Sequence, residues 1–278
     1  FATKVLTQFE SSRKLLSLLD KPFNKMYNTN TNSGYIFLMS VISGYPIGAK
    51  LISEFYENNL MTKQDAKRVI SFCSTSGPMF ILGSVAVKMF GNYKLGLIVL
   101  LSHIISTLLN GLIYSRTGTR LAPKMAKNIS YGQIAVQKEV VKKSLNDIMY
   151  DTIISILMIG GYITLCFTLL EFIVSSHAYQ IIAVFSQRLF GSNILDSIIK
   201  GFVELTNGCV SLSQSTCSIK TICICLSSLI SFGGLSIHLQ SQMFLKKVGI
   251  KYRYFLLTKI TQTIITIFIS TLFSAILL

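Results

Sequence analysis

The sequence predicts an all-α membrane protein, a polytopic helical bundle of two inverted repeats, each with broken or re-entrant segments. Three observations predict it. There is too little charge for a water-facing surface. Uncharged apolar runs recur at membrane-spanning length. Interruptions rich in glycine and serine fall at matching places in the two halves.

Of 278 residues, 51% are hydrophobic and 13% charged, and the mean hydropathy is +0.57. A soluble globular chain carries about 25% charged residues. Residues 95–115, 152–170, 221–245 and 260–278 contain no Lys, Arg, Asp or Glu. Each is near the ~20 residues that span a bilayer as helix. Residues 69–87 and 172–187 are also free of these charges. The net charge of +15 collects in short loops, as cytoplasmic loops of membrane proteins do. No basic stretch sits on a nucleic-acid recognition motif, so no nucleic-acid partner is expected. An anionic solute and membrane lipids are the partners the charge suits.

Taken in order, residues 1–28 mix basic and apolar positions as an interfacial amphipathic helix does. They belong to an N-terminal segment, 1–33. The chain begins with Phe1, and the expectation is that it is truncated at this end. Residues 34–115 form a first repeat. It comprises a segment at 34–56 broken by Ser43-Gly44-Tyr45-Pro46-Ile47-Gly48, a polar connection over 57–68, a segment at 69–90 broken by Ser74-Thr75-Ser76-Gly77-Pro78, and a plain spanning helix at 93–115. Residues 116–151 are a basic loop, placed in the cytoplasm. Residues 152–278 hold spanning segments at 152–170 and 172–190, then a second repeat. That repeat has a segment at 197–219 with glycines and polar residues, a segment at 221–245 broken by Phe232-Gly233-Gly234, a basic loop over 246–259 that includes Lys259, and a last helix at 260–278.

Spacing supports the repeat. Thirty-three residues separate Gly44 from Gly77, and the same number separate Gly201 from Gly234. Gly91 and Gly249 mark the following turns. With both basic loops inside, helices 95–115 and 260–278 run in opposite directions, as in inverted-topology transporters. Whether segments 69–90 and 221–245 cross fully or re-enter is left open.

Non-helical backbone survives in a membrane only where it is buried in protein or lines a wet cavity. Paired interrupted segments therefore point to a transporter binding site. Helix N-termini there suit anions. The expected substrate-binding residues are Gly44, Tyr45, Ser74, Thr75, Ser76, Gly77, Glu204, Thr206, Asn207, Gly233, Gly234 and His238. Glu204 is singled out because an intramembrane carboxylate is costly, with Lys200 one turn earlier as its partner. Tyr45 is a platform for a flat aromatic ligand. His103 and His177 lack neighbouring polar residues in the sequence and read as packed or interfacial. Glycine and serine also serve plain helix packing.

No cofactor or metal is expected. The six cysteines form no C-x-x-C pair and read as small buried thiols. The chain has no His-Glu-x-x-His, no Gly-x-Ser-x-Gly and no P-loop, so an enzyme is not expected.

The motifs at 43–49, 73–78, 204–208 and 231–238 resemble the YlbJ family of sporulation integral membrane proteins. The wider group shares the nucleoside recognition or Gate domain. The resemblance covers residues 30–278. It implies a transporter or permease for a small anionic solute in the mother-cell or forespore membrane of a spore-forming bacterium. Dipicolinate is the implied solute. A coupling ion or a partner protein is a further expected partner. The alternatives are a non-transporting scaffold for spore cortex or coat assembly, and a nucleoside-type transporter.

Overall fold

The computed structural model describes residues 19–29, 32–116, 145–190 and 193–278. Among the described residues the chain is helical, with no strand. Most of the expected interfacial segment and of the basic loop 116–151 lies outside them. Among the described residues, four helices are long and apolar enough to cross a membrane. They are α6 (Tyr93–Ser115), the Thr152–Ser175 part of α7 (Leu145–Ser175), the helix Ile219–Leu245 that is broken into α11 (Ile219–Phe232) and α12 (Leu235–Leu245), and α13 (Tyr252–Leu277). Ile156, Leu157, Phe268 and Ile276 lie exposed on α7 and α13. Such a surface suits lipid and needs no polar cover.

Two further pairs of short helices fold back on themselves. The first joins α2 (Ser33–Ser43) to α3 (Ile47–Glu57) through Gly44, Tyr45 and Pro46. Gly44 has φ +73° and the Tyr45–Pro46 peptide is cis. A Cβ on Gly48 would lie 3.1 Å from the Cβ of Ser40, so the two arms run side by side. The second joins α9 (Ile194–Val203) to α10 (Leu205–Ser213) through Glu204 alone. Here Ser197 Oγ is 2.8 Å from Ser211 Oγ, and a Cβ on Gly208 would come within 2.3 Å of the Cα of Gly201. Arms of 9 to 11 residues are each about 15 Å long, half of the ~30 Å hydrocarbon core. Each hairpin therefore reaches the middle of the bundle and returns. Within the expected segment 197–219 the chain turns at Glu204, whose extended backbone (φ −138°, ψ 116°) ends α9; Gly201 serves close packing of the arms.

The segments left open at 69–90 and 221–245 pass through the bundle. The first consists of α4 (Lys63–Ile70), a non-helical stretch over 71–77, and the π-helix α5 (Met79–Met89). It starts earlier than expected, because Thr62 caps α4 by accepting from Asp65 N–H. The second is α11, Gly233-Gly234 and α12. Opposite ends are marked by chemistry. Lys247 pairs with Glu57 at 3.1 Å, and Tyr254 Oη donates to the Lys67 carbonyl at 2.9 Å. Lys63, Lys67, Lys246, Lys247, Lys251 and Arg253 thus gather at one end. At the other, Leu95, Leu212, Ile222 and Val85 pack in one apolar cluster. The hairpin α2–α3 enters from the basic end, and the hairpin α9–α10 from the other.

At the centre α6 and α13 lie antiparallel. Tyr114 stacks edge-on with Tyr254, Thr261 Oγ1 donates to Asn110 Oδ1 at 2.7 Å, and Thr266 Oγ1 donates to Ser106 Oγ at 2.7 Å. Elsewhere, α1 (Asp20–Tyr27) stacks Tyr27 on Phe72 at 4.0 Å. The two segments expected at 152–170 and 172–190 divide later than expected. Glu171 is a good helix former and nothing near it breaks a helix, so α7 continues to Ser175, and α8 (His177–Phe190) follows.

Candidate solute-binding site

The non-helical stretch 71–77 leaves backbone groups without helical partners, and each must find one inside a membrane. Polar side chains on the two central helices supply them. Asn110 Nδ2 donates to the Ser71 carbonyl at 2.8 Å and to the Thr258 carbonyl at 3.1 Å. The Ser76 N–H donates to His103 Nε2 at 3.0 Å. Because Nε2 accepts, His103 carries its proton on Nδ1 and donates to Ser231 Oγ, 2.8 Å away. Lys259 Nζ donates to the Ser74 carbonyl at 3.1 Å.

Lys259 is 1% exposed. Its other two bonds go to Tyr45 Oη at 2.9 Å and Gln262 Oε1 at 2.8 Å. The ammonium also sits 4.9 Å from the centre of the Tyr45 ring. The hairpin tip, the broken helix and α13 thus meet at one positive charge. Among the described residues no carboxylate lies within ion-pair reach of it. Tyr45 Oη in turn donates to the Ile230 carbonyl at 3.2 Å, tying the first hairpin tip to α11.

Close backbone approach completes the arrangement. A Cβ on Gly44 would meet Gly77 N at 2.9 Å, and one on Gly48 would meet the Cys73 oxygen at 1.6 Å. In the second half a Cβ on Gly234 would meet the Gly201 oxygen and Leu205 N, both at 2.9 Å. Each hairpin tip therefore presses on the break of the through-going helix beside it. The gap between Tyr45, Ser74 and Ser241 is too small for a water molecule, so the centre is closed. The hydroxyls of Ser74 and Ser241 are buried there without partners.

The expected site residues divide into groups. Gly44, Tyr45, Ser74, Ser76 and Gly77 come together around Lys259 and His103. Thr75 is turned to Ser40 Oγ at 3.2 Å. Glu204 is 4% exposed and caps α10, accepting from Asn207 N–H at 2.9 Å and Asn207 Nδ2 at 3.2 Å. The expected Lys200–Glu204 pair does not form: Lys200 bonds Asp196 at 2.9 Å, since the extended backbone at 204 takes that side chain off the helical face. Thr206 is exposed and points away from the centre. Gly233 (φ +71°) and Gly234 form the second break. His238 supports it, donating from Nε2 to the Phe232 carbonyl at 3.0 Å while Nδ1 accepts from Tyr252 Oη at 3.1 Å.

Two central residues depart from the sequence reading. His103 is fully buried in a polar network, and Lys259 belongs to the middle of the bundle rather than to the loop 246–259. The signal was available in their spacing. His103, Thr107, Asn110 and Tyr114 fall on one face of α6, and Lys259, Gln262, Thr266, Ser270 and Ser274 on one face of α13. Polar residues at helical period in a spanning helix face protein or a cavity.

These features define the class: an integral membrane protein of spanning, broken and hairpin helices around a polar centre. Over 268 residues the chain is 24% identical to the sporulation integral membrane protein YlbJ of Bacillus subtilis (strain 168), which supports the YlbJ family. The alignment covers 90% of this chain and 66% of the relative, so the chain spans just under two thirds of that protein's length. No family model matches the chain, and no solved structure does.

Proposed function

We propose that the chain forms the core of a transporter for a small anionic solute, acting in sporulation like the relative's name states, with dipicolinate as the leading candidate solute. The observation that carries this reading is Lys259, a buried positive charge held by neutral oxygens where a hairpin tip meets a broken helix. A buried charge without a counter-ion is costly, and a carboxylate solute would supply one. Tyr45 offers a ring beside it, and the Ser74 and Ser241 hydroxyls are free to donate. The two halves, 34–115 and 194–278, are read as inverted repeats. Each is ordered as hairpin, broken helix, glycine turn and spanning helix, and the corresponding pieces run in opposite senses. Rocking of the hairpins against the α6–α13 pair would open the closed centre to either side in turn. The wider Gate-group kinship belongs to the same reading. The basic end is placed in the cytoplasm.

Uptake into proteoliposomes tests it. Dipicolinate is expected to enter, and a nucleoside to enter far more slowly. Lys259→Gln should weaken dipicolinate uptake about 10- to 100-fold, the loss of one charged hydrogen bond. Folded protein that moves neither solute would shift weight to the scaffold reading.

A further inference from the structure

Gln262, Tyr45 and Ser74 surround Lys259 Nζ in a way that fixes the role of every oxygen. Gln262 Nε2 donates to Thr107 Oγ1 at 2.7 Å, so its amide turns Oε1 toward Lys259. Tyr45 Oη spends its proton on the Ile230 carbonyl, so toward Lys259 it accepts. Ser74 contributes a carbonyl, which only accepts. Three acceptors therefore face the three protons of an ammonium. None is a carboxylate. A buried lysine is ordinarily held by an acidic partner, whereas a backbone carbonyl, a hydroxyl and an amide oxygen are the hard neutral ligands that a monovalent metal ion takes. The carbonyl comes from a helix break, where freed carbonyls attract cations.

We infer that residues Tyr45, Ser74 and Gln262 form a monovalent-cation site that the chain fills with its own Lys259 ammonium. The side chain is a tethered cation, permanently present where an untethered ion would otherwise bind and leave. Under the transport reading, solute movement through this centre then needs no free sodium or potassium. A plain structural staple predicts something different: once the lysine is cut back, no small ion can replace it.

Purified full-length protein in detergent tests this by thermal unfolding in potassium, sodium, methylammonium and choline chloride at equal ionic strength. The unmodified protein is expected to unfold at the same temperature in all four. Lys259→Ala opens the space of the ammonium and its stem. Its midpoint is expected to rise saturably in methylammonium or potassium, by about 3 °C over choline. Lys259→Met, which fills the space with an apolar stem, should show no such rise. A Lys259→Ala protein equally stable in all four salts overturns the inference, as does an unmodified protein that responds as strongly as the variant. If Lys259→Ala cannot be purified in choline, recovery of monodisperse protein in methylammonium supports the inference. Failure in both salts, with Lys259→Met monodisperse in both, overturns it. Because the readout is binding, it is separable from transport. Cation rescue without any solute uptake would sink the transport reading and leave the site standing.

Discussion

The two helix breaks solve the same problem by different means. At 71–77 the orphaned backbone groups are satisfied from a distance, by Asn110 and His103 on α6 and Lys259 on α13. At Gly233-Gly234 and Glu204 they are satisfied mainly from nearby, the Ile230 carbonyl excepted, which accepts from Tyr45 on the first hairpin. His238 reaches back six residues to the Phe232 carbonyl, and Glu204 caps its own helix. A locally satisfied break can keep its bonds while its helix moves as a unit. A break held by side chains from two other helices changes its bonds whenever those helices shift. Under the transport reading the first break is therefore the element whose polar contacts would be exchanged on opening, and the second is the more self-contained.

Removing space at the first break should have the largest effect. Gly48→Ala would drive a Cβ to 1.6 Å from the Cys73 oxygen, a backbone atom that cannot step aside cheaply. Loss of monodisperse protein, or destabilisation of about 3 kcal/mol or more in thermal unfolding, is expected. A tolerated Gly48→Ala would mean that the hairpin does not press on the broken helix. Gly83→Ala, where nothing lies within 4 Å, is the matched control in the same half and should change little.

His103→Ala should come next. It leaves the buried Ser76 N–H without its acceptor, a cost of about 1–3 kcal/mol, and it also removes the bond to Ser231 that couples the first break to α11. His103→Gln, which can still accept, should recover part of the loss. If His103→Ala costs no more than His238→Ala, the contrast between distant and local satisfaction is wrong.

The reading of sequence against structure follows the same divide. Gly44, Pro46, Gly77 and Gly233-Gly234 were legible because glycine and proline break helices through their own backbone geometry, wherever the rest of the chain lies. The apolar runs at 95–115 and 221–245 were legible because a bilayer sets helix length. Lys259 was not, because five basic residues over 246–259 read as one loop until the start of α13 at Tyr252 is known. Nor was His103, whose partners Ser76 and Ser231 are 27 and 128 residues away. Lys200 shows the reverse error. Its i,i+4 spacing to Glu204 is meaningful only on a continuous helix, and the helix ends between them.

Glu204 offers the smallest effect and the finest distinction. Its carboxylate accepts from the Asn207 N–H at the start of α10, as an N-cap does. If capping is its work, Glu204→Gln keeps an acceptor oxygen and should change the unfolding free energy by less than about 0.5 kcal/mol, whereas Glu204→Ala should cost about 1 kcal/mol. If the charge itself matters to the solute pathway, Glu204→Gln would leave stability intact and still change uptake. A variant that unfolds normally but transports abnormally would then show that the second break, though satisfied from within, is not merely structural, and the contrast between the two breaks would have to be drawn in function rather than in bonding alone.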